Sequence, residues 1–312
     1  VAGGDGSGNG VRLMSCQVLS GGTYSGMHAA PIWAADNGAS ISQNSWGYST
    51  PGYFEQAALD AIDYFNINGG GTVLSGGISI FAANNFNSSA NYYPAYYNGT
   101  LAVAATNNND RKALYSNVGS WVDISAPGGE SNISTARGIL STLPSGTYGF
   151  SSGTSNACPQ VSGVAALVLS LLPGILTANQ LRSILLSTTD NIEALNPDYP
   201  GQLGSGRLNA WKALLLAQQY IVPTAAFSAS PILICTGTDA TFVDQTLAPV
   251  TSWLWSFPGG IPSSYSGQIP PPIFYSAPGF YDVSLTVSDG INTDTETKTA
   301  YLEVSDIIAD FA

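Results

Sequence analysis

A serine set among glycine and small residues, where an apolar helix begins, is placed to act as a nucleophile. Ser155 is such a residue. It stands in Ser151-Ser-Gly-Thr-Ser-Asn-Ala-Cys-Pro-Gln-Val-Ser-Gly163, and apolar residues continue to Leu172. The first turn of a helix leaves backbone N–H groups without partners, and the helix dipole adds positive potential there. Both would stabilise an oxyanion formed beside the Ser155 hydroxyl. A side-chain amide at a strand end is a suitable second donor. Asn84-Asn85, directly after the apolar run Ile78-Ser-Ile-Phe-Ala-Ala83, offers one. Taken alone, Thr154 or Ser155 is equally an ordinary helix N-cap, and Asn84-Asn85 an ordinary turn.

Such a nucleophile needs a base within hydrogen-bond reach. The chain has one histidine, His28, in Gly26-Met-His-Ala-Ala-Pro31. It reads as a surface or cap residue at a helix start. A single histidine excludes a multi-histidine metal site. Cys16, Cys158 and Cys235 are widely spaced, without a C-x-x-C pair, so neither a zinc site nor a disulfide framework is indicated. Buried free thiols are expected. Asp5-Gly-Ser-Gly-Asn-Gly10 begins like an EF-hand loop, but its twelfth position is Cys16, which supplies no bidentate carboxylate. A plain loop is expected, with weak calcium binding as the minor alternative.

The elements that would carry these residues alternate up to about Tyr220. Strand-like segments cover 11–19, 39–44, 78–83, 101–106 and 121–124. Helix-like segments cover 28–37, 54–65 and 154–172, and a further helix is capped by Thr177. This order predicts a parallel α/β sheet. After Ile221-Val-Pro223 the helical period disappears. Short alternating segments, separated by turns such as Phe257-Pro-Gly-Gly260, predict a small antiparallel sandwich with Trp253 or Trp255 in its core. Ile308-Ala-Asp-Phe-Ala312 echoes Thr224-Ala-Ala-Phe-Ser228, which reads as the start of a second copy or as a chance match. The expected domains are 1–220, 223–305 and 306–312.

Composition narrows the classes. Of the 312 residues, 44% are hydrophobic and only 9% charged, which excludes an intrinsically disordered chain. Eight Lys+Arg against twenty Asp+Glu give a net charge of -12, which argues against nucleic acid and anionic membrane as partners. The longest apolar run, 161–172, is too short to span a bilayer. Thirty-five glycines, eighteen prolines and sixteen tyrosines suit a loop-rich, secreted, β-containing protein.

Several segments resemble a known family. Gly153-Thr-Ser-Asn-Ala-Cys-Pro-Gln-Val-Ser-Gly163 resembles the nucleophile motif G-T-S-M-A-x-P-H-V-x-G of the subtilisin-like serine proteases, with Asn156 for Met and Gln160 for His. Ile80-Phe-Ala-Ala-Asn-Asn85 is similar to the family's A-A-G-N segment, with Asn85 on the oxyanion Asn and Asn84 on the Gly that lines the S1 pocket. Asn44-Ser-Trp-Gly47 resembles the substrate-binding strand. Ser125-Ala-Pro-Gly128 and Gly204-Ser-Gly-Arg-Leu-Asn-Ala210 match two later segments in order. Trp253-Leu-Trp-Ser-Phe257 and Ala277-Pro-Gly-Phe-Tyr-Asp-Val-Ser-Leu-Thr-Val-Ser-Asp-Gly290 resemble the PKD domain.

The resemblance implies an α/β fold: a subtilisin-like parallel sheet with flanking helices, incomplete at the N-terminus, followed by a small all-β immunoglobulin-like sandwich. It implies an extracellular, bacterial serine endopeptidase that cleaves protein or peptide substrates through a Ser-His-Asp triad. Ser155 would be the nucleophile and Asn85 the oxyanion donor. Ser45, Trp46, Gly47 and Asn84 would bind substrate, with Asn84 narrowing or polarising the S1 pocket. The family's Asp and His segments fall before Val1, so the chain alone is expected to be a fragment with little or no activity. No cofactor is required for catalysis. Structural calcium is common among relatives, but no metal ligands are assignable in this sequence. The PKD domain would be a spacer or a substrate-binding module. Asn84, Asn156 and Gln160 also motivate an alternative, a degenerate protease serving as a binding or adhesion module.

Overall fold

The computed structural model describes residues 11–20, 23–24, 26–246, 250–290 and 292–306. The chain divides into two compact units, Val1–Ala217 and Gln218–Ala312.

In the first unit a two-residue antiparallel pair, β1 (Leu19–Ser20) and β2 (Thr23–Tyr24), precedes α1 (Ala29–Asp36). The main sheet is parallel, in the order β3 (Ile41–Asn44), β4 (Ile78–Ala82), β5 (Leu101–Thr106), β6 (Ile124–Pro127). Every residue of β4 and β5 is buried, so both faces of the sheet need cover, as in parallel sheets generally. Phe81 and Ala102 pack with Leu59 and Ile62 of α2 (Gln56–Asn68). Successive strand residues face opposite ways, so Ile80 and Leu101 face the other layer. That layer is α3 (Thr154–Leu171), which packs against all four strands. Its buried side includes Ala157, Gly163, Ala165 and Ala166, whose small size permits close approach to the sheet.

A β-hairpin of β7 (Ile139–Leu143) and β8 (Thr147–Ser151) leads directly into α3. The sequence reading did not include this hairpin. Leu140, Tyr148 and Phe150 are exposed on it, so it carries no buried face whose period would give it away. After α3 comes α4 (Ala178–Ser187), with a full capping box: Gln180 N–H donates to Thr177 Oγ1, and Thr177 N–H donates to Gln180 Oε1. The unit closes on α5 (Ala210–Gln218).

Just before α5, the 204–210 segment lies along β6. Ser125 N–H donates to Gly206 O at 2.9 Å, and Leu208 N–H donates to Ser125 O at 2.8 Å. Asp190 anchors this segment through Arg207 at 2.6 Å, Lys212 at 2.7 Å and Asn209 at 3.0 Å. The Lys212 hydrogen bond, with help from Asn209 and Arg207 and against the opposing effect of burial, holds the Asp190 carboxyl below its ordinary value. The unfolded chain therefore binds this proton at higher pH than the folded one. The stabilisation is present above the ordinary carboxylate range and is lost as pH falls through the depressed folded value. Asp190→Asn should lower the urea midpoint at about pH 7 and change it little near pH ~2. Urea titrations of both proteins across this range check the prediction.

Three readings need correction. Residues 11–18, expected within a strand, form no strand, and Val11, Leu13 and Met14 are exposed. A strand exists by pairing, and among the described residues only β4 pairs with the edge strand β3. The strand expected at 121–124 begins only at Ile124, because Val122 N–H closes a turn onto Gly119 O at 3.1 Å. Of the three cysteines expected to be buried, only Cys158 is. Cys16 is exposed in the segment before β1 and Cys235 is exposed on a strand of the second unit.

The second unit is a two-sheet sandwich. Its strands are β9 (Phe227–Ser230), β10 (Leu233–Cys235), β11 (Thr238–Asp244), β12 (Ser252–Ser256), β13 (Gly260–Ile261), β14 (Ser264–Ser266), β15 (Ile273–Tyr275), β16 (Gly279–Ser288) and β17 (Thr293–Ser305). One sheet runs β10-β17-β16-β12-β14 and the other β13-β15-β11-β9. Val283, Leu285 and Val287 alternate inward on β16 and meet Phe227, Phe242 and Trp255. Trp255 is the fully buried plug and stacks on Phe257. Trp253 is half-buried and donates its indole N–H to Asp244 at 2.8 Å. The 308–312 echo and the 5–10 loop lie outside the described residues.

Candidate functional site

The site forms where α3 starts, beside the C-terminal ends of β3, β4 and β6. Gly153 is the N-cap of α3, at φ 155° and ψ 157°. Only glycine adopts this region without strain. Its N–H donates to Gly128 O at 3.0 Å, which ties the turn to the segment after β6. Ser155 follows in the first turn, half-buried.

Pro159 explains how α3 is joined to β3. A proline inside a helix has no N–H for the carbonyl four residues earlier, which here is that of Ser155. That carbonyl instead accepts from Ser45 Oγ at 2.9 Å. In return, Ser155 Oγ donates to Ser45 O at 3.4 Å, the one hydrogen bond its hydroxyl makes among the described residues. Gln43 donates to Ser45 Oγ at 2.7 Å and holds that side chain in place.

Asn85 stands just beyond β4. Its Oδ1 accepts from Thr154 N–H and from Thr154 Oγ1, both at 2.9 Å. With the oxygen so occupied, Nδ2 is left as a donor. A Cβ placed on Gly153 would lie 3.7 Å from Asn85 Nδ2, 3.6 Å from the Ser155 nitrogen and 3.8 Å from Ser155 Cβ. The missing side chain of Gly153 therefore opens a space onto which two N–H donors and the serine side chain converge.

Asn84 has φ 76°, in the left-handed region that asparagine tolerates better than most residues. Its carboxamide lies over Gly47, where a Cβ would come within 2.6 Å of Asn84 Nδ2. It also donates to Tyr48 O at 3.4 Å. Trp46 packs edge-on against Phe81 and Tyr48, and its indole donates to Asn44 Oδ1 at 3.1 Å. Ser45, Gly47, Asn84, Asn85 and Ser155 are thus brought together, with Trp46 anchored behind the strand.

Other residues shape the site without having been singled out for it. Tyr115 donates to Gly129 O at 2.7 Å, and burial pushes its phenol well above the ordinary value. Gln160 donates to Pro127 O at 2.6 Å and to Asn156 O at 3.1 Å, linking the start of α3 to the end of β6. Only the tertiary pairing of α3 with β6 reveals these roles. Cys158 is fully buried, and burial pushes its thiol up to about 11. It therefore stays protonated, with Ile80 O at 3.5 Å and Asn44 O at 3.6 Å from its sulfur. His28 is exposed at the N-cap of α1 and makes no capping bond. No imidazole or carboxylate meets Ser155 Oγ among the described residues. Nor do these residues assemble a metal-binding group of three or more His, Cys, Asp or Glu side chains. No described helix is long and apolar enough to cross a membrane.

The parallel sheet thus places a serine flanked by small residues at the start of a central helix, with an asparagine amide opposite it. The subtilase family model matches residues 2–207, and the chain belongs to that family. A PKD domain model matches residues 224–301. Thermitase of Thermoactinomyces vulgaris is 33% identical over 207 residues, which cover 65% of this chain and 65% of that protein. Subtilisin E of Bacillus subtilis is 37% identical over 185 residues, 57% of this chain and 44% of that protein. A calcium-dependent protease of Nostoc is 32% identical over 247 residues, 67% of this chain and 36% of that protein. The chain thus spans less than two thirds of the length of these relatives. Among solved structures, a protease of Pseudoalteromonas arctica matches with a TM-score of 0.56 at 33% identity, covering 64% of this chain and 61% of that one. The prenylagaramide maturation protease PagA matches with a TM-score of 0.53 at 26% identity, covering 64% and 71%.

Proposed function

We propose that residues 1–220 carry the nucleophile and the oxyanion-binding half of a secreted serine endopeptidase acting on protein or peptide substrates, with a PKD domain at 223–305. The observation that carries this reading is the space at Gly153, lined by Ser155 N, Asn85 Nδ2 and Ser155 Cβ at 3.6–3.8 Å from one point. A reacting carbonyl oxygen in that space would meet two donors, and its carbon would face the Ser155 hydroxyl.

In this mechanism Ser155 Oγ adds to the scissile carbonyl, and its proton passes to a base. The negative oxygen accepts from Ser155 N–H and Asn85 Nδ2. Collapse breaks the C–N bond, and the amine leaves with the proton from the base. Water then hydrolyses the acyl-enzyme by the same steps. The base and the carboxylate that orients it come from outside the described residues. The bond from Ser155 Oγ to Ser45 O is long, so little is lost when the hydroxyl turns to a base. Ser45, Trp46 and Gly47 flank the path of an extended substrate. The Asn84 carboxamide over Gly47 favours a small or polar side chain there.

The alternative, a non-catalytic binding module, gains little from the three unusual residues. Asn156 accepts from Ser151 Oγ, Gln160 bonds two carbonyls, and Asn84 covers Gly47. None of these bonds involves Ser155 Oγ, which bonds Ser45 O. Casein hydrolysis by the natural full-length protein and by Ser155→Ala separates the readings. The endopeptidase reading expects activity that falls at least about a thousandfold in the variant, a scale taken from the family's own members. A folded full-length protein without activity supports the binding module.

A further inference from the structure

One hydroxyl takes over a helix bond at the nucleophile. Pro159 leaves the Ser155 carbonyl without its donor four residues on, and Ser45 Oγ donates to it instead at 2.9 Å. A serine hydroxyl has one proton to give, and a carbonyl oxygen only accepts. The Ser45 proton is therefore committed to Ser155 O. A further hydrogen bond at Ser45 Oγ has to be one that it accepts. Gln43 meets that condition, with Nε2 at 2.7 Å.

Gln43 lies on β3 and Ser45 two residues on, just past its end, so both face the same way. That side meets α3, where Gln43 Nε2 comes to 3.6 Å from Cys158 Sγ. A leucine would fill the same space, so packing alone does not call for an amide. The chemistry does: a donor facing Ser45 Oγ keeps the hydroxyl from turning away from Ser155 O. Ser155 is thereby held on both sides. Asn85 Oδ1 accepts from Thr154 N–H before it, and Ser45 Oγ holds its own carbonyl.

We propose, resting on the endopeptidase reading of Ser155, that Gln43 is a positioning residue for that nucleophile and acts through Ser45. Its own bonds reach Ser45 Oγ and Cys158 Sγ, while Ser155 Oγ bonds Ser45 O. Gln43→Glu keeps the shape of the side chain and reverses the polarity of its bond. An ionised carboxylate only accepts, so the Ser45 proton turns to it and Ser155 O loses its donor. Protonating that carboxyl gives back an O–H donor, and the Ser45 proton returns to Ser155 O.

Steady-state hydrolysis of a chromogenic peptide by the natural full-length protein tests this, with Ser155→Ala as the blank and a thermal melt for each variant. At pH ~8, Gln43→Glu should lower kcat at least about tenfold and leave KM within about twofold. Its kcat relative to wild type should recover at least about twofold by pH ~5, as a carboxyl with an ordinary value near ~4.3 starts to protonate. Dividing by wild type at each pH removes the titration of the base. In a Ser45→Ala background the same substitution should cost less than about twofold, because the proton it redirects is gone. Should Gln43→Glu unfold, Gln43→Leu offers Ser45 neither donor nor acceptor and should lower kcat about threefold. A wild type no faster than Ser155→Ala would overturn the endopeptidase reading and this role with it. An active wild type with unchanged kcat in the folded variant, a ratio that does not move with pH, or losses that add to those of Ser45→Ala would overturn the role of Gln43 alone.

Discussion

Gly153→Ala in the natural full-length protein should lower kcat for peptide hydrolysis at least about a hundredfold. Two effects act together. The φ and ψ of Gly153 lie in a region that costs an alanine roughly 1–3 kcal/mol, and the turn would shift to relieve it. A displacement of about 1 Å at a reacting centre already costs on the order of a hundredfold. The added methyl would also occupy the converging space, 3.6 Å from the Ser155 nitrogen and 3.7 Å from Asn85 Nδ2. An oxyanion bonded to both donors at about 2.7–3.1 Å has to use that space. The N–H bond of Gly153 to Gly128 O survives the substitution, so the fold should persist. Steady-state kinetics with a chromogenic peptide, alongside a thermal melt, check both parts. Unchanged kcat in a folded variant would show that the space is not where the reaction occurs.

Asn85 gives the second large effect. Asn85→Ala removes the Nδ2 donor, and kcat should fall by about 10²–10³ with KM nearly unchanged; this magnitude comes from subtilisin itself, a member of the same family. Asn85→Asp is the sharper comparison. One carboxylate oxygen can still accept from Thr154 N–H and Thr154 Oγ1, so the local structure is retained. The other oxygen replaces a donor with a negative acceptor facing the developing oxyanion. The loss should therefore equal or exceed that of the alanine variant. If Asn85→Asp kept most of the activity, Asn85 would act only by holding Thr154.

The residues of the candidate site stand close together in the sequence, but their proposed roles were not legible from that alone. Gly153, Thr154 and Ser155 adjoin one another and Asn85 follows an apolar strand, a pattern that on its own makes an N-cap and a turn; the roles of nucleophile and oxyanion donor rest on the family resemblance. The fully buried strands β4 and β5 were legible from their largely apolar runs. The linkage between Ser45 and Ser155 was not. It depends on a carbonyl left without a partner by Pro159 and on a strand more than a hundred residues earlier coming alongside. Gln160 and Tyr115 act through carbonyls of the segment after β6, which no local pattern reveals. Residues 11–19 show the opposite failure. Their composition suits a strand, but strand identity depends on a pairing edge as well as on composition. The hairpin β7–β8 pairs well yet buries little, so its pattern gave no signal. In the sandwich, alternation located the core but did not separate Trp253 from Trp255, which lie two apart on one face of β12; Trp255 is fully buried with its indole donating to Gly267 O, while half-buried Trp253 donates to Asp244.

The central claim is that Ser155 is a nucleophile beside a preformed oxyanion site. Treating the natural full-length protein with a fluorophosphonate and mapping the modified residue by mass spectrometry tests it most directly. The predicted result is a single covalent adduct on Ser155, strongly reduced in Asn85→Ala and absent in Ser155→Ala. A folded protein that takes no label, or takes it on a different serine, would contradict the claim.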